Sequence, residues 1–209
     1  MRFLRPLLML VGLAPVTSSA DSREIYVLLS GGPSLLRLED PLEGAASASA
    51  AGGGIGVTAY YGLTDELHLG ASVGIQGASN VTYAGTRVTL PSGSRPLGDL
   101  QQDLLGLSFG LVAHYRYDTG AAWAPFAQLE LGGQYRRHHH LVHLVSNTEL
   151  GAAFPDVSKV SPAAGLQLGL EYRFRNWLTT SVGLGVTTNP ADLGQVEFRV
   201  PITVGIIFG

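Results

Sequence analysis

The sequence predicts an all-β fold: a closed, antiparallel, up-and-down transmembrane β-barrel of about eight strands, with short turns at one end and four longer loops at the other. Three observations predict it. Apolar side chains alternate with polar or small ones at a period of two in segment after segment, the signature of strands with one apolar face. The connections between these segments alternate between tight and long. The chain is apolar overall, yet no stretch after residue 20 approaches the roughly 20 apolar residues of a membrane-spanning helix. Its only lysine is Lys159, whereas a soluble domain covers itself with mixed Lys and Glu.

Residues 1–20 have the layout of a secretory leader, so the barrel domain is expected over 21–209. Arg2 and Arg5 give a positive start, Leu7 to Val16 an apolar run too short to span a bilayer, and Ser18-Ser19-Ala20 the small residues of a cleavage site. Loss of Arg2 and Arg5 leaves 11 basic against 16 acidic residues, a net charge of −5. That balance argues against nucleic acid as a partner, because no basic patch remains to replace counterions on phosphates. The chain has no cysteine, so no disulfide framework holds an exported fold together.

Along the mature chain, 24–37 and 51–61 alternate imperfectly and count as the first two strands. In the third, Leu67, Leu69, Ala71, Val73 and Ile75 alternate with His68, Gly70, Ser72, Gly74 and Gln76. In the fourth, Leu105, Leu107, Phe109, Leu111, Ala113, Tyr115 and Tyr117 alternate with Gly106, Ser108, Gly110, Val112, His114 and Arg116. Residues 122–135 make the fifth. The sixth sets Leu166, Leu168, Leu170, Tyr172 and Phe174 against Gly165, Gln167, Gly169, Glu171 and Arg173; the seventh starts at Leu178. The eighth sets Val196, Phe198, Val200, Ile202, Val204, Ile206 and Phe208 against Gln195, Glu197, Arg199, Pro201, Thr203 and Gly205, with Ile207 the exception. Gly62-Leu63-Thr64-Asp65, Asp118-Thr119-Gly120 and Arg175-Asn176 are tight turns. Longer polar stretches lie at 38–50, 79–102, 136–160 and 188–194, with strand-like pieces at Val81 to Leu90 and His140 to Val145 read as hairpin extensions. A ten-stranded barrel and a soluble β-domain are the rival architectures.

Small residues dominate the polar face, which suits a narrow interior better than a solvated exterior, so the apolar face is assigned to lipid. Tyr60, Tyr61, Tyr115, Tyr117, Trp123, Tyr172, Phe174 and Trp177 all lie within a few residues of the short turns. They are expected to form an aromatic girdle at one membrane interface.

Two segments carry a family resemblance. Val196 to Phe208 resembles the terminal strand that outer-membrane barrels present to their assembly machinery, with Gly209 following the aromatic. Tyr61-Gly62-Leu63-Thr64-Asp65-Glu66-Leu67 resembles a strand–turn–strand junction common in that group. In layout the chain is similar to small eight-stranded barrels: the transmembrane part of outer-membrane protein A, the OmpX and OmpW types, and the opacity adhesins. The resemblance implies a bacterial outer-membrane location, periplasmic turns opposite extracellular loops, and both termini in the periplasm. Expected partners are outer-membrane lipid, lipopolysaccharide and the barrel-assembly machinery, with a monomer as the working unit. No peptidoglycan-binding domain is expected after the last strand.

The inward face offers His68, His114, Arg116, Gln128, Glu130, Gln167, Glu171, Arg173, Glu197 and Arg199. Buried charges need partners, so a hydrogen-bonded network filling the lumen is expected, with a gated pore as the alternative. Arg136, Arg137, His138 and His140 form a loop contact site suited to lipopolysaccharide phosphates. His138 and His140 share a face on an extended chain and could ligate a metal, but Asp, Glu or Cys at ligand spacing is missing from the tract; no metal or other cofactor is expected. His143, Ser146, Asn147 and Glu149 resemble, with altered spacing, the His-x-Ser-Asn segment of lipid A deacylases. Two residues separate His143 from Ser146, which puts them on opposite faces of a continuous strand. A non-enzymatic structural or surface-interaction role is therefore the leading expectation.

Overall fold

The computed structural model describes residues 23–39, 41–42, 47–90, 92–146, 148–149, 154–190 and 192–209, so the expected leader lies outside the described residues. The strands are β1 (Ile25–Glu39), β2 (Ser47–Gly62), β3 (Leu67–Arg87), β4 (Leu97–Arg116), β5 (Trp123–Val145), β6 (Thr148–Glu149), β7 (Val157–Arg175), β8 (Leu178–Asn189), β9 (Asp192–Arg199) and β10 (Ile202–Phe208). Each wall strand pairs antiparallel with the next, and the ring closes where β10 and β9 both pair with β1. The two-residue β6 only extends the tip of β5. β9 and β10 are one wall strand interrupted at Val200-Pro201, because proline has no N–H for the ladder. The barrel therefore has eight wall strands, and the ten-stranded alternative is set aside.

At the interruption, Val200 N–H donates to Pro33 O and Gly183 N–H donates to Pro201 O, both at 3.1 Å, so neighbouring strands keep the backbone paired. Gly32 faces this point, and a Cβ there would collide with Val200 O. The short turns form where the sequence placed them. Thr64 Oγ1 accepts from Leu67 N–H at 3.0 Å, and Asp118 Oδ1 accepts from Gly120 N–H at 2.8 Å, with Gly120 in the left-handed region at φ 68°.

The strands are much longer than a membrane requires. β3 has 21 residues and β5 has 23, whereas about 9–11 tilted residues cross the hydrocarbon layer. Expected loops 79–102 and 136–160 are thus largely strand, a correction in their extent; the pieces at 81–90 and 140–145 do extend hairpins, as far as Arg87 and Val145. The polarity of the wall inverts along these strands. In the half nearer the short turns, large apolar residues point outward: Leu29, Ile55, Leu111, Leu131 and Leu184 are among them, and Leu111 is 73% exposed. In the far half, the inward side chains are apolar instead. Leu36, Leu38, Ala48, Val81, Tyr83, Leu100, Leu104 and Leu141 pack into one buried cluster. A surface of this size made of outward leucines and valines is stable against lipid and not against water. The far half has the inside-apolar pattern of a barrel that stands in water.

Inward facing also switches parity. On β5 the inward residues are even-numbered through Gln134, Arg136 and His138, then odd-numbered at Leu141 and His143. On β3 they pass from Ala78 to Val81 and Tyr83, then to Thr86. Each switch coincides with a register shift in the ladder, between Gln101 and Asp103 on the β4–β5 pair and at Ala78/Val81 and Tyr83/Thr86 on the β3–β4 pair. These are β-bulges: one extra residue reverses every side chain beyond it.

Candidate functional site

The lumen has three layers. Nearest the short turns, aromatic and charged groups interlock. The Tyr60 and His114 rings stack at 5.1 Å, and His114 stacks on Phe126 at 4.9 Å. Glu171, buried to 4% exposure, lies 3.3 Å from Arg116 Nε and 3.6 Å from His114 Nε2. These contacts pair charge but are poorly aligned as hydrogen bonds, since Arg116 Nε and Glu171 Oε1 have no hydrogen-bond partner. Arg173 donates to Glu24 Oε2 at 3.1 Å and to the Tyr26 hydroxyl, and its guanidinium lies over the Tyr26 ring. Tyr60 donates to Gln128 Oε1 at 2.9 Å. Val112 and Ile207, which break the sequence alternation, face inward and pack with Tyr26, Leu28 and Tyr60.

The middle layer is built of small residues with a few long ones laid over them. Glu130 accepts from Ser72 Oγ at 2.5 Å and from Arg199 at 3.2 Å. Glycines make the room: a Cβ at Gly110 would lie 3.1 Å from Glu130 Cγ, and one at Gly185 would lie 3.0 Å from Arg199 Cγ. With its amide oriented to satisfy both neighbours, Gln76 donates to Glu197 Oε2 at 2.6 Å and accepts from Gln134. Arg136 donates to Gln195 Oε1 at 2.5 Å. A cavity of about 90 Å³ remains in this layer, bordered by Ser30, Gly56, Ser72, Glu130 and Arg199 among others. It has room for a few water molecules.

The outer layer is the apolar cluster. One polar chain runs through it: Gln102 Nε2 donates to the Tyr83 hydroxyl at 2.8 Å and to His138 Nδ1 at 2.8 Å. His138 accepts here as a neutral imidazole, and burial, with Arg136 and Lys159 nearby, pushes its pKa down to about 4. On the outer surface at this level, Arg137 donates to Asp156 Oδ2 at 2.6 Å, and Asp103 faces His140.

The structure thus places His68, His114, Arg116, Gln128, Gln167, Glu171, Arg173 and Glu197 buried on the lumen face, with Glu130 and Arg199 half-buried there. Within this set Arg116 meets Glu171 and Arg199 meets Glu130, while Arg173 meets Glu24, and Glu197 meets Gln76. Tyr60 is a correction to the girdle. It is buried at 5% exposure, because its neighbour Tyr61 takes the outward face and adjacent strand residues cannot share one. Tyr61, Tyr115, Tyr117, Trp123 and Trp177 are exposed, and Tyr172 and Phe174 are half-buried, with Trp123 and Tyr172 rings 4.6 Å apart.

The expected loop contact site is also corrected. Arg136, Arg137, His138 and His140 belong to strand β5, and Arg136 and His138 point into the interior at 6% and 7% exposure. Only Arg137 and His140 of the four are exposed. The deacylase-like group is not assembled. His143 is fully buried with Nε2 at 3.3 Å from Thr86 O, whereas Ser146 is exposed in the turn beyond β5 and Glu149 is exposed on β6; Asn147 lies outside the described residues. Tyr26, Glu24 and Gln134 are network members that alternation did not mark as such, Gln76 stood on the inward set of its strand without being named for the network, and Asp103 lay between the expected loop 79–102 and the strand read from Leu105.

No protein-family model matches this chain, and no curated protein matches it. Solved structures do. Neisserial surface protein A superposes with a TM-score of 0.57 at 15% identity, covering 87% of this chain and 96% of that one. The attachment invasion locus protein Ail of Yersinia pestis gives 0.49 at 8% identity, over 90% and 99% of the two chains. The N-terminal β-barrel domain of Pseudomonas aeruginosa OprF gives 0.47 at 15% identity, over 88% and 97%. The first of these carries the assignment: the fold is that of a small outer-membrane β-barrel.

Proposed function

We propose that this protein resides in the bacterial outer membrane as a barrel with a closed lumen and serves a structural or surface-interaction role through its outer rim, without enzymatic activity. The observation that carries this reading is the apolar cluster across the outer lumen. Leu36, Leu38, Val81, Tyr83 and Leu100 are each at most 1% exposed, so a solute entering from outside meets packed side chains. The ion-paired layer near the turns supports the same reading from the other end. Planar-bilayer recording on refolded protein tests it. Absence of channel events is expected; stepwise conductance from a heat-modifiable, folded sample contradicts it and favours the narrow pore.

The rim projects well above the lipid band and is where a partner outside the cell would be met. Lipopolysaccharide is the nearest such partner. Arg37 is exposed just beyond the outward Leu35, and Arg137 is exposed directly across the ladder from the outward Leu105, at the outer edge of the apolar band where lipid phosphates lie. Replacing both by Gln is expected to weaken lipopolysaccharide retention in native nanodiscs without changing the folded band; unchanged retention contradicts the contact.

A further inference from the structure

The β4–β5 bulge does more than switch parity. Asp103 stands opposite His139, and Gln101 stands opposite Val142, so His140 and Leu141 together oppose Gln102. His140 occupies the left-handed region at φ 52°, which a residue with a side chain adopts only when its surroundings impose it. In a regular strand His139 and His140 would point to opposite sides. Here both stand on the outer surface of the wall, their rings 4.7 Å apart and inclined at 69°.

The third member is fixed from the other flank. His140 Nδ1 is 3.0 Å from Asp103 Oδ2. Asp103 Oδ1 accepts from Asn80 N–H at 2.9 Å, and Asn80 is itself left-handed at φ 56° within the β3 bulge. Two bulges, one on each strand beside β4, thus converge on one carboxylate. Its Oδ1 is anchored by backbone and its Oδ2 meets His140, with the His139 ring beside that of His140.

We propose that Asp103, His139 and His140 form a surface site for a first-row divalent transition-metal ion such as Zn²⁺ or Cu²⁺. One ligand atom from each residue already lies within 4.8 Å of the others. Bonds of about 2.0–2.2 Å to a tetrahedral ion place such atoms roughly 3.3–3.6 Å apart. The closure needed is a small rotation of His140, whose side chain is 77% exposed. The ion takes the place of the proton between His140 Nδ1 and Asp103 Oδ2. The two nitrogens and one carboxylate oxygen suit Zn²⁺ and Cu²⁺ better than Ca²⁺ or Mg²⁺, which take oxygen sets. Three protein ligands leave a position for water or for a donor from outside. The site lies above the outward apolar band, so an ion reaches it from the external medium without crossing lipid or lumen.

The test is calorimetric titration of ZnCl₂ into the full mature barrel, purified without a polyhistidine tag and refolded in micelles. Binding of one equivalent is expected, with affinity falling at least tenfold in Asp103→Asn, His139→Gln and His140→Gln. His138→Gln, which changes the adjacent buried imidazole, is expected to leave affinity within threefold. Heat-modifiable gel mobility reports that each variant is folded. Cu²⁺ electron paramagnetic resonance gives a second readout: two coordinated nitrogens in the wild type and one in His139→Gln. No saturable binding, equal affinity in all variants, or a copper spectrum without two nitrogens overturns the proposal.

Discussion

Glu171 illustrates how single residues hold this interior together. It is buried between Arg116 and His114 and is the carboxylate set against the Arg116 guanidinium, as Glu24 is set against Arg173. Removing one partner of such a group leaves uncompensated charge in a low-dielectric interior and costs about 3–5 kcal/mol. Glu171→Gln is therefore expected to lower stability by that order, read from urea titration of fluorescence from Trp123 and Trp177. Glu149→Gln, at an exposed position, is expected to stay within about 0.5 kcal/mol. Equal midpoints for the two variants would contradict the buried-pair description. His138 makes a pH prediction. Its pKa falls from the ordinary 6.5 to about 4 in the folded state, so below 6.5 the unfolded chain binds a proton that the fold refuses. Its contribution is complete above pH 6.5 and is lost as pH falls toward 4, by up to about 3 kcal/mol. His138→Gln is expected to flatten that part of the stability–pH curve while keeping a partner for Gln102; an unchanged slope would show that the imidazole is not buried neutral.

Bulges decide what was legible at the scale of the strand. On β4 and β7 the membrane half was readable from alternation alone, because no register shift interrupts β4 between Asp103 and Arg116 or β7 between Val157 and Arg173. Eight of the ten inward polar residues named from sequence fall in such stretches or in the paired stretches opposite them, and Glu197 and Arg199 fall in the unshifted pairing of β9 with β1 and β8. Beyond the bulges the period of two restarts out of phase, so His138 and Leu141 both face inward while the run between them reads as irregular. A polar, irregular run resembles a loop, which is why 136–160 was expected to be one. Register shifts need the partner strand, and a single sequence does not align one strand with another. The same limit hid Asp103, whose two neighbours come from strands on either side. Polarity inversion along the wall gives a direct prediction. Leu111→Arg and Leu184→Arg, both within the outward apolar band, are expected to destabilise by about 2–4 kcal/mol each in lipid vesicles. Ser47→Arg, exposed above the band, is expected to cost less than about 0.5 kcal/mol. A wall facing water throughout would make the leucine changes as neutral as Ser47→Arg.

For the whole molecule, one closed sheet does two jobs that are usually separate. Its lower half has what a wall in lipid needs: a closed ring with no free edge, an apolar exterior, and acidic and basic groups set against each other inside. Its upper half is a small water-standing barrel with its own apolar core, continuous with the first. Among the described residues no helix is long and apolar enough to cross a membrane, and the strands are the only elements that could. The most direct test of this account is fractionation of expressing cells, followed by comparison of unboiled and boiled samples on a gel. The account predicts a band in the outer-membrane fraction that migrates as a compact species unboiled and shifts on boiling. A soluble periplasmic band, with mobility indifferent to boiling, would contradict it.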